Sequence, residues 1–186
     1  MKTILTLISA ALMSLSVHAV EVGGIQMPES LSAESQSLAL NGTGVRSKFF
    51  MDIYAAGLYL SQSSKEAQAI IAADEAMALR LHITSGLLTA EKMENATREG
   101  FEKSTGGNTA PIKATIEEFI AAFSEEIKEN DVFDFVYAPA SGVNVFKNGE
   151  LKKNVKGLEF KQALFGIWLS EDAVQDDLKS GLLGSL

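Results

Sequence analysis

Three charged residues interrupt an apolar and aromatic run at residues 40–60, LNGTGVRSKFFMDIYAAGLYL. Arg46, Lys48 and Asp52 lie within seven positions, directly after two glycines. An arginine inside a cleft can bind a carboxylate or an enolate-like oxygen, because its guanidinium stays charged and offers a planar fork of donors. The same arginine on a surface hairpin, or paired with Asp52, would do no chemistry. The residues of this segment leave both interpretations open.

Other residues with chemical potential give weaker signals. His82 lies in an alternating segment, residues 77–84, opposite its apolar face and without a cluster of acids or hydroxyls, so an ordinary strand histidine is favoured over a catalytic base. The acidic pairs at 117–118 and 125–126 fit the solvated face of a helix better than a glycosidase-type carboxylate pair. The stretch GTGVRS is not followed by the GK[ST] of a phosphate-binding loop.

Composition excludes several classes of site. The chain has no cysteine, which excludes disulfides, a thiolate nucleophile and a thiolate metal site. It has two histidines, and one of them, His18, lies in a predicted leader, so a zinc enzyme is not expected. We predict no metal and no cofactor. The net charge of −8 disfavours nucleic acid and anionic lipid headgroups as partners, because both are negatively charged.

The first nineteen residues, MKTILTLISAALMSLSVHA, have the pattern of a signal peptide. Lys2 supplies the positive charge, residues 4–15 form the apolar run, and Val17-His18-Ala19 is the predicted cleavage site. We therefore expect a periplasmic or secreted protein that begins near Val20. The apolar run is shorter than the roughly 20 residues of a membrane span, so no stable span is expected after cleavage. An uncleaved N-terminal anchor is the alternative.

Residues 20–186 predict a single domain of the α+β class. Apolar–polar alternation and turn residues predict strands at 21–28, 36–44, 48–60, 77–84, 131–139 and 142–157. Apolar spacings of three and four predict helices at 63–73, 88–105 and 109–130, and two short helices in 160–184 divided at Ser170. This order of elements favours an antiparallel sheet with helices packed on one face.

Four local signals carry these predictions. Residues 48–60 are mostly apolar, which is typical of a strand covered on both faces. A serine is expected to cap the helix at 63–73, and Thr89 is expected to cap the helix at 88–105. Asn148-Gly149 lies between two alternating runs and predicts a two-residue hairpin.

The segment 40–60 resembles the N-terminal signature of the chalcone isomerase fold family, in which a G-x-G-x-R turn precedes a long strand that ends in G-x-Y-L. Two further blocks agree in the same order, ITSGLLTAEKMENATREGF (83–101) and GIWLSEDAVQDDLKSGLLG (166–184). The match is most similar to the bacterial, exported chalcone isomerase-like branch. The resemblance implies an open-faced β-sandwich, with a large antiparallel sheet, a helical layer and a cleft between them.

The resemblance also assigns residues to the cleft. In the plant flavonoid enzymes the arginine of this signature stabilises an oxyanion, and in fatty-acid-binding relatives it holds a carboxylate. Arg46 matches that arginine, and Lys92 matches the lysine at the start of the following helix. A strand threonine of the enzymes falls near Tyr54.

Two residues of the enzymes are replaced in this chain. The cleft tyrosine falls on Thr89, and the helix asparagine falls on Ala96. Asn95 is one residue away from that position and is expected to point about 100° away from it, given 3.6 residues per turn. Loss of such groups can lower a rate by on the order of 10²–10³, so flavanone formation is not expected.

The leading hypothesis is an exported, non-catalytic binding protein for a small amphipathic carboxylate such as a fatty acid. Its predicted ligand-binding residues are Arg46, Tyr54, Thr89 and Lys92. One alternative is an intramolecular lyase or isomerase of unknown substrate, in which Arg46 would be catalytic. Another is an interaction module with a closed cleft, in which Arg46 is bound by Asp52 or by a helix C-terminus. The sequence leaves the ligand and the oligomeric state open.

Overall fold

A computed structural model of the chain describes residues 19–185, so the predicted leader lies outside the described residues except for Ala19. The strands are β1 (Ala19–Val22), β2 (Ile25–Pro28), β3 (Ser30–Ala33), β4 (Gln36–Lys48), β5 (Met51–Leu60), β6 (Met77–Ile83), β7 (Val132–Ala138), β8 (Gly142–Lys147) and β9 (Glu150–Val155). The helices are α1 (Ala67–Ala72), α2 (Ala90–Ser104), α3 (Lys113–Ile120), α4 (Leu158–Leu169) and α5 (Asp176–Leu182). Short 3₁₀ turns at Ala110–Ile112 and Ala121–Phe123 flank α3.

Strands β3 to β9 form one seven-stranded antiparallel sheet in chain order, and β1 pairs with β2 in a separate hairpin. Each strand of the large sheet therefore pairs with its neighbour along the chain, although α1 lies in the connection between β5 and β6 and α2 and α3 lie in the connection between β6 and β7. The helices cover one face of this sheet, which we call the inner face. The predicted α+β class, with a large antiparallel sheet and a helical layer, is confirmed.

Helix α4 is the centre of the layer between sheet and helices. Nine of its twelve residues are buried, because it packs against the sheet and also against α1 and α2. Its Phe160 ring lies 5.5 Å from the rings of both Phe101 on α2 and Phe119 on α3. The ring of Trp168, the penultimate residue of α4, lies 6.0 Å from the ring of Phe135 on β7. The aromatic side chains thus join the helical layer to the sheet.

Strand alternation sends a different set of side chains to the outer face. Leu79 and Leu81 on β6 enter the core under the helices, whereas Arg80 between them forms a two-point ion pair with Asp134 on β7. His82 follows Arg80 on this outer face, as the alternation predicts. A histidine in this position cannot reach the space between sheet and helices.

The prediction of one strand over 48–60 is wrong at its start. Strand β4 continues through Arg46 to Lys48, Phe49 and Phe50 form the turn, and β5 begins at Met51. The φ angles of Phe49 and Phe50 are 51° and 65°, a left-handed conformation that closes a tight hairpin. Two phenylalanines are poor indicators of such a turn, so their residue types concealed it.

Two helix predictions are too long. The helix expected at 109–130 is α3 with a 3₁₀ turn at each end, and residues 124–130 lead without a helix into β7. The helix expected at 63–73 is α1, which begins only after Glu66. The expected serine cap is absent, because the hydroxyl of Ser64 accepts a hydrogen bond from the backbone N–H of Glu66 before the helix begins.

Other local predictions are confirmed. Thr89 caps α2 by accepting a hydrogen bond from the backbone N–H of Lys92. Asn148 and Gly149 form the β8–β9 turn, with φ angles of 53° and 81°. The two terminal helices are α4 and α5, and Ser170 ends the first of them.

Candidate functional site

A cavity of about 410 Å³ lies between the inner face of the sheet and helices α2 and α4. Its deep wall consists of buried, mostly aromatic side chains, namely Tyr54, Leu81, Phe119, Phe123, Phe135, Ile167 and Trp168. Exposed side chains mark its mouth, namely Lys48, Phe49, Met51, Leu87, Lys92, Asn95 and Glu99. The cavity is therefore apolar inside and carries charged groups where it opens.

The glycines of the signature explain why Arg46 reaches this cavity. Gly42, Gly44 and Arg46 all face inward on β4, opposite Leu58, Ala56 and Tyr54 of β5. Helix α5 lies directly on the two glycines: a Cβ atom on Gly44 would come within 2.9 Å of the Cδ1 of Leu178, and one on Gly42 would overlap the carbonyl oxygen of Gly181. Arg46 is the next inward position, beyond the first residue of α5, so its side chain can extend past the helix.

Gln175, which precedes α5, holds the backbone of β4 around Arg46. Its Oε1 accepts hydrogen bonds from Arg46 Nη1 at 2.9 Å and from the backbone N–H of Ser47 at 3.0 Å. Its Nε2 donates to the carbonyl of Val45 at 3.2 Å. Sequence reasoning missed Gln175, because it is 129 residues away from Arg46 and neither its type nor its spacing indicates the contact.

Arg46 keeps donors for a ligand. Its Nη1 donates to the carbonyl of Ser47 at 2.6 Å and to Gln175, and these are its hydrogen bonds within residues 19–185. The Asp52 carboxylate accepts instead from the hydroxyl of Ser47 at 2.7 Å. The alternative that Asp52 or a helix C-terminus binds Arg46 is therefore wrong, because Arg46 donates to Gln175, which lies at the N-terminus of α5. Nη2 and Nε can donate to an anion.

Tyr54 is paired with Arg46 across the hairpin and contributes a buried hydroxyl. That hydroxyl accepts a hydrogen bond from Trp168 Nε1 at 3.0 Å. Burial raises the pKa of Tyr54 to about 12, although the Trp168 hydrogen bond and the charge of Arg46 act in the opposite direction. Tyr54 therefore keeps its proton at neutral pH and can donate it to a ligand oxygen beside Arg46.

The mouth of the cavity is cationic. Arg46, Lys48 and Lys92 all belong to its lining, and Lys92 also donates from Nζ to the carbonyl of Leu87 at 2.8 Å. Within the described part of the chain, Glu99 is the acid of the lining, and its Oε1 lies 3.1 Å from Nζ of Lys103. A local excess of positive charge in a chain of net charge −8 favours an anionic ligand at this opening.

The predicted site residues divide into two groups. Arg46, Tyr54 and Lys92 come together at the cavity, whereas Thr89 lies outside its lining because its hydroxyl is used to cap α2. Helix α2 runs along the mouth, so Asn95 and Ala96 both belong to the lining although they are successive residues of the helix.

The lining offers hydrogen-bond donors and apolar surface. Among residues 19–185 it includes neither a histidine nor an aspartate, and Glu99 is exposed at the mouth. Within the described residues, no group of histidine, aspartate and glutamate side chains has the arrangement of a metal site. None of the helices within residues 19–185 is long and apolar enough to cross a membrane.

Fold and site together define a class: a curled antiparallel sheet and a helical layer that enclose an apolar cavity with an arginine and a tyrosine hydroxyl at its polar end. The chain belongs to the chalcone isomerase-like family, whose sequence model matches residues 19–184.

A solved structure supports the same fold. The crystal structure of a fatty-acid binding protein from Arabidopsis thaliana superposes with a TM-score of 0.66 and covers 86% of this chain and 92% of the plant chain, at 19% sequence identity. A likeness at this identity is evidence for the fold alone. No curated protein matches the chain in sequence.

Proposed function

We propose that the protein is an exported, non-catalytic binding protein for a small amphipathic carboxylate such as a fatty acid. The observation that carries the proposal is the pair of donors at the polar end of the cavity. Arg46 has Nη2 and Nε available, and Tyr54 presents a protonated hydroxyl beside it. A carboxylate has the charge and the two oxygens that such a fork binds.

The cavity also fits the apolar part of such a ligand. Its volume of about 410 Å³ lies within the range of roughly 300–1,000 Å³ of small-molecule sites, and its deep wall is aromatic and aliphatic. The plant protein of similar fold is itself described as fatty-acid binding. Assignment to the bacterial, exported branch rests on the leader-like first nineteen residues and on the signature at 40–60. N-terminal sequencing of the native protein from the cell envelope should begin at or near Val20.

The chain carries its own reporter for ligand binding. Trp168 is the single tryptophan of the sequence, lines the cavity and donates to Tyr54. A long-chain fatty acid that enters the cavity should therefore change the intrinsic fluorescence of Trp168, and a titration gives the dissociation constant. Calorimetry of the same mixture provides an independent value.

Substitution of Arg46 tests the anchor. A hydrogen bond to a charged group contributes about 1.5–3 kcal/mol, so Arg46→Ala should weaken fatty-acid binding by about 10- to 150-fold. Arg46→Lys should restore only part of the affinity, because an ammonium lacks the planar fork. Arg98→Ala is the matched control, since Arg98 pairs with Glu117 on exposed surface and does not line the cavity. Unchanged affinity in Arg46→Ala would refute the proposal.

One observation favours the isomerase alternative as a second candidate. The Arg46 and Tyr54 donors would also stabilise an enolate-like oxygen, which is the charge that develops in an intramolecular ring closure. Mixing the purified protein with a hydroxylated chalcone distinguishes the two functions. We expect no flavanone above the spontaneous rate, and turnover that disappears in Arg46→Ala would establish the enzyme instead.

A further inference from the structure

The β4–β5 hairpin ends in an exposed apolar tip. Phe49 is 78% exposed and Phe50 is 108% exposed, and the next residue, Met51, is exposed as well. Leu87, also exposed, lines the same cavity mouth as Phe49 and Met51. We call these four residues the apolar tip. They account for four of the six large hydrophobic side chains that are exposed in residues 19–185, so the exposure is concentrated in one place.

The backbone of the tip opposes its own residue types. Phe49 and Phe50 adopt φ angles of 51° and 65°, where a side chain makes the conformation unfavourable. The β8–β9 hairpin has nearly the same angles, 53° and 81°, at Asn148 and Gly149, which are the residues such a turn prefers. Folding alone therefore gives no reason for two phenylalanines at this turn, and strain of this kind is concentrated at functional sites.

The charges around the tip identify its partner. Lys48 precedes the turn and places Nζ 5.7 Å from the centre of the Phe49 ring, and Arg46 and Lys92 lie at the same mouth. Of the nearby acids, Glu99 pairs with Lys103. Asp52, which accepts from the Ser47 hydroxyl, and Asp172, which lines an adjoining pocket with Arg46 and Lys48, have no ion pair within residues 19–185. The three cations at the mouth still outnumber these two carboxylates by one, although the whole chain is acidic. Aromatic side chains flanked by lysines are typical of segments that bind at the surface of an anionic membrane.

We propose that the apolar tip docks on an anionic phospholipid membrane, with Phe49 and Phe50 entering the boundary of headgroups and acyl chains and Lys48 and Lys92 facing lipid phosphates. A second copy of the chain is a poorer occupant, because a symmetric contact would bring two cationic mouths together. Docking would place the cavity opening at the bilayer, so that an amphipathic acid could pass between them without crossing water. This transfer role rests on the proposed function, whereas the docking surface does not.

Vesicle binding of the ligand-free protein tests the docking surface. We expect the protein to co-sediment with vesicles of phosphatidylglycerol and phosphatidylethanolamine in equal parts, and less with phosphatidylcholine vesicles. Phe50→Ser should lower this binding by about 10-fold or more, because a large apolar side chain no longer leaves water. Lys48→Gln should lower it by about fivefold on the anionic vesicles only. Leu151→Ser is the control, since Leu151 is an exposed apolar side chain, 53% exposed, beside the other hairpin turn.

The outcomes separate docking from ligand binding. Phe50 does not line the cavity, so Phe50→Ser should leave the fatty-acid dissociation constant measured by Trp168 fluorescence unchanged without vesicles. Docking without fatty-acid binding would refute the proposed function and leave this proposal standing. Absence of vesicle binding by the unsubstituted protein, or equal binding by Phe50→Ser, would overturn the docking surface. A second copy would be the occupant instead if analytical ultracentrifugation showed a dimer that dissociates in Phe50→Ser and the protein bound no vesicles. This result would overturn the docking surface.

Discussion

Replacement of Phe49-Phe50 by Asn-Gly should stabilise the protein and at the same time remove its docking tip. The two phenylalanines have φ angles of 51° and 65°, and a residue with a side chain in the left-handed region costs about 1–3 kcal/mol. Asn-Gly is the residue pair that the β8–β9 hairpin uses at the same φ values within about 20°. The exchange therefore keeps the shape of the turn and removes its strain.

The expected increase in the free energy of unfolding follows from the contacts that the exchange removes and those that it keeps. Phe49 and Phe50 are largely exposed, so little buried packing is lost. The contact of Lys48 with the Phe49 ring is lost, and at an exposed site it contributes about 0.5–1 kcal/mol. The net gain should be about 2 kcal/mol, which corresponds to an increase of roughly 4–8 °C in Tm for a chain of this size.

Thermal and urea unfolding of the two proteins measure this gain, and vesicle co-sedimentation measures the loss of docking. Gly149→Ala is the control that measures the energy of a side chain at positive φ. The φ angle of Gly149 is 81° and no atom lies within 4 Å of an added Cβ, so the free energy of unfolding should fall by about 1 kcal/mol for conformational reasons alone. An unchanged or lower Tm in the Asn-Gly variant would show that the phenylalanines stabilise the fold, and the strain argument would then be wrong.

Two further substitutions test the site and the core. Tyr54→Phe should weaken fatty-acid binding by about 2- to 12-fold, because the ligand loses a neutral hydrogen bond. It should also lower the free energy of unfolding by about 1–3 kcal/mol, because Trp168 Nε1 is left buried without its acceptor. Equal affinity of the two proteins in the titration would contradict the role of the hydroxyl. Lys161→Met should lower the free energy of unfolding, measured in urea, by about 3 kcal/mol. The fully buried ammonium of Lys161 donates to the carbonyls of Ile70, Ile71 and Ala73 at the end of α1, and methionine would leave these carbonyls without a donor. Unchanged stability would show that those carbonyls find other donors.

The sequence predicts local structure well where one residue type and one physical requirement coincide. Thr89 is a good N-cap and occurs at the start of α2, and Asn148-Gly149 suits a tight hairpin and forms one. Alternation along β6 separates the core residues from Arg80 and His82, because a strand sends successive side chains to opposite faces. These features depend on a few neighbouring residues, which the sequence displays directly.

The missed features depend on contacts between distant parts of the chain. The Phe49-Phe50 turn has residue types that favour a strand, and only the antiparallel pairing of β4 with β5 requires the chain to reverse there. The helix expected at 109–130 ends early because the chain must enter β7, although its apolar spacing continues to Ile127. Gln175 has no local signal at all, since its partners are on β4.

The segment LNGTGVRSKFFMDIYAAGLYL thus combines two geometric requirements on a single hairpin. Gly42 and Gly44 let α5 lie against β4, and this contact brings Gln175 to the backbone beside Arg46 while leaving the outer donors of the guanidinium directed to the cavity. Three and four residues after Arg46, the turn places the side chains of Phe49 and Phe50 in solvent at the opening of the same cavity. A strand of fixed side-chain period thus places Arg46 and the apolar tip at the same mouth, so a one-residue shift in the β4–β5 register would send Arg46 to the outer face and remove the proposed site.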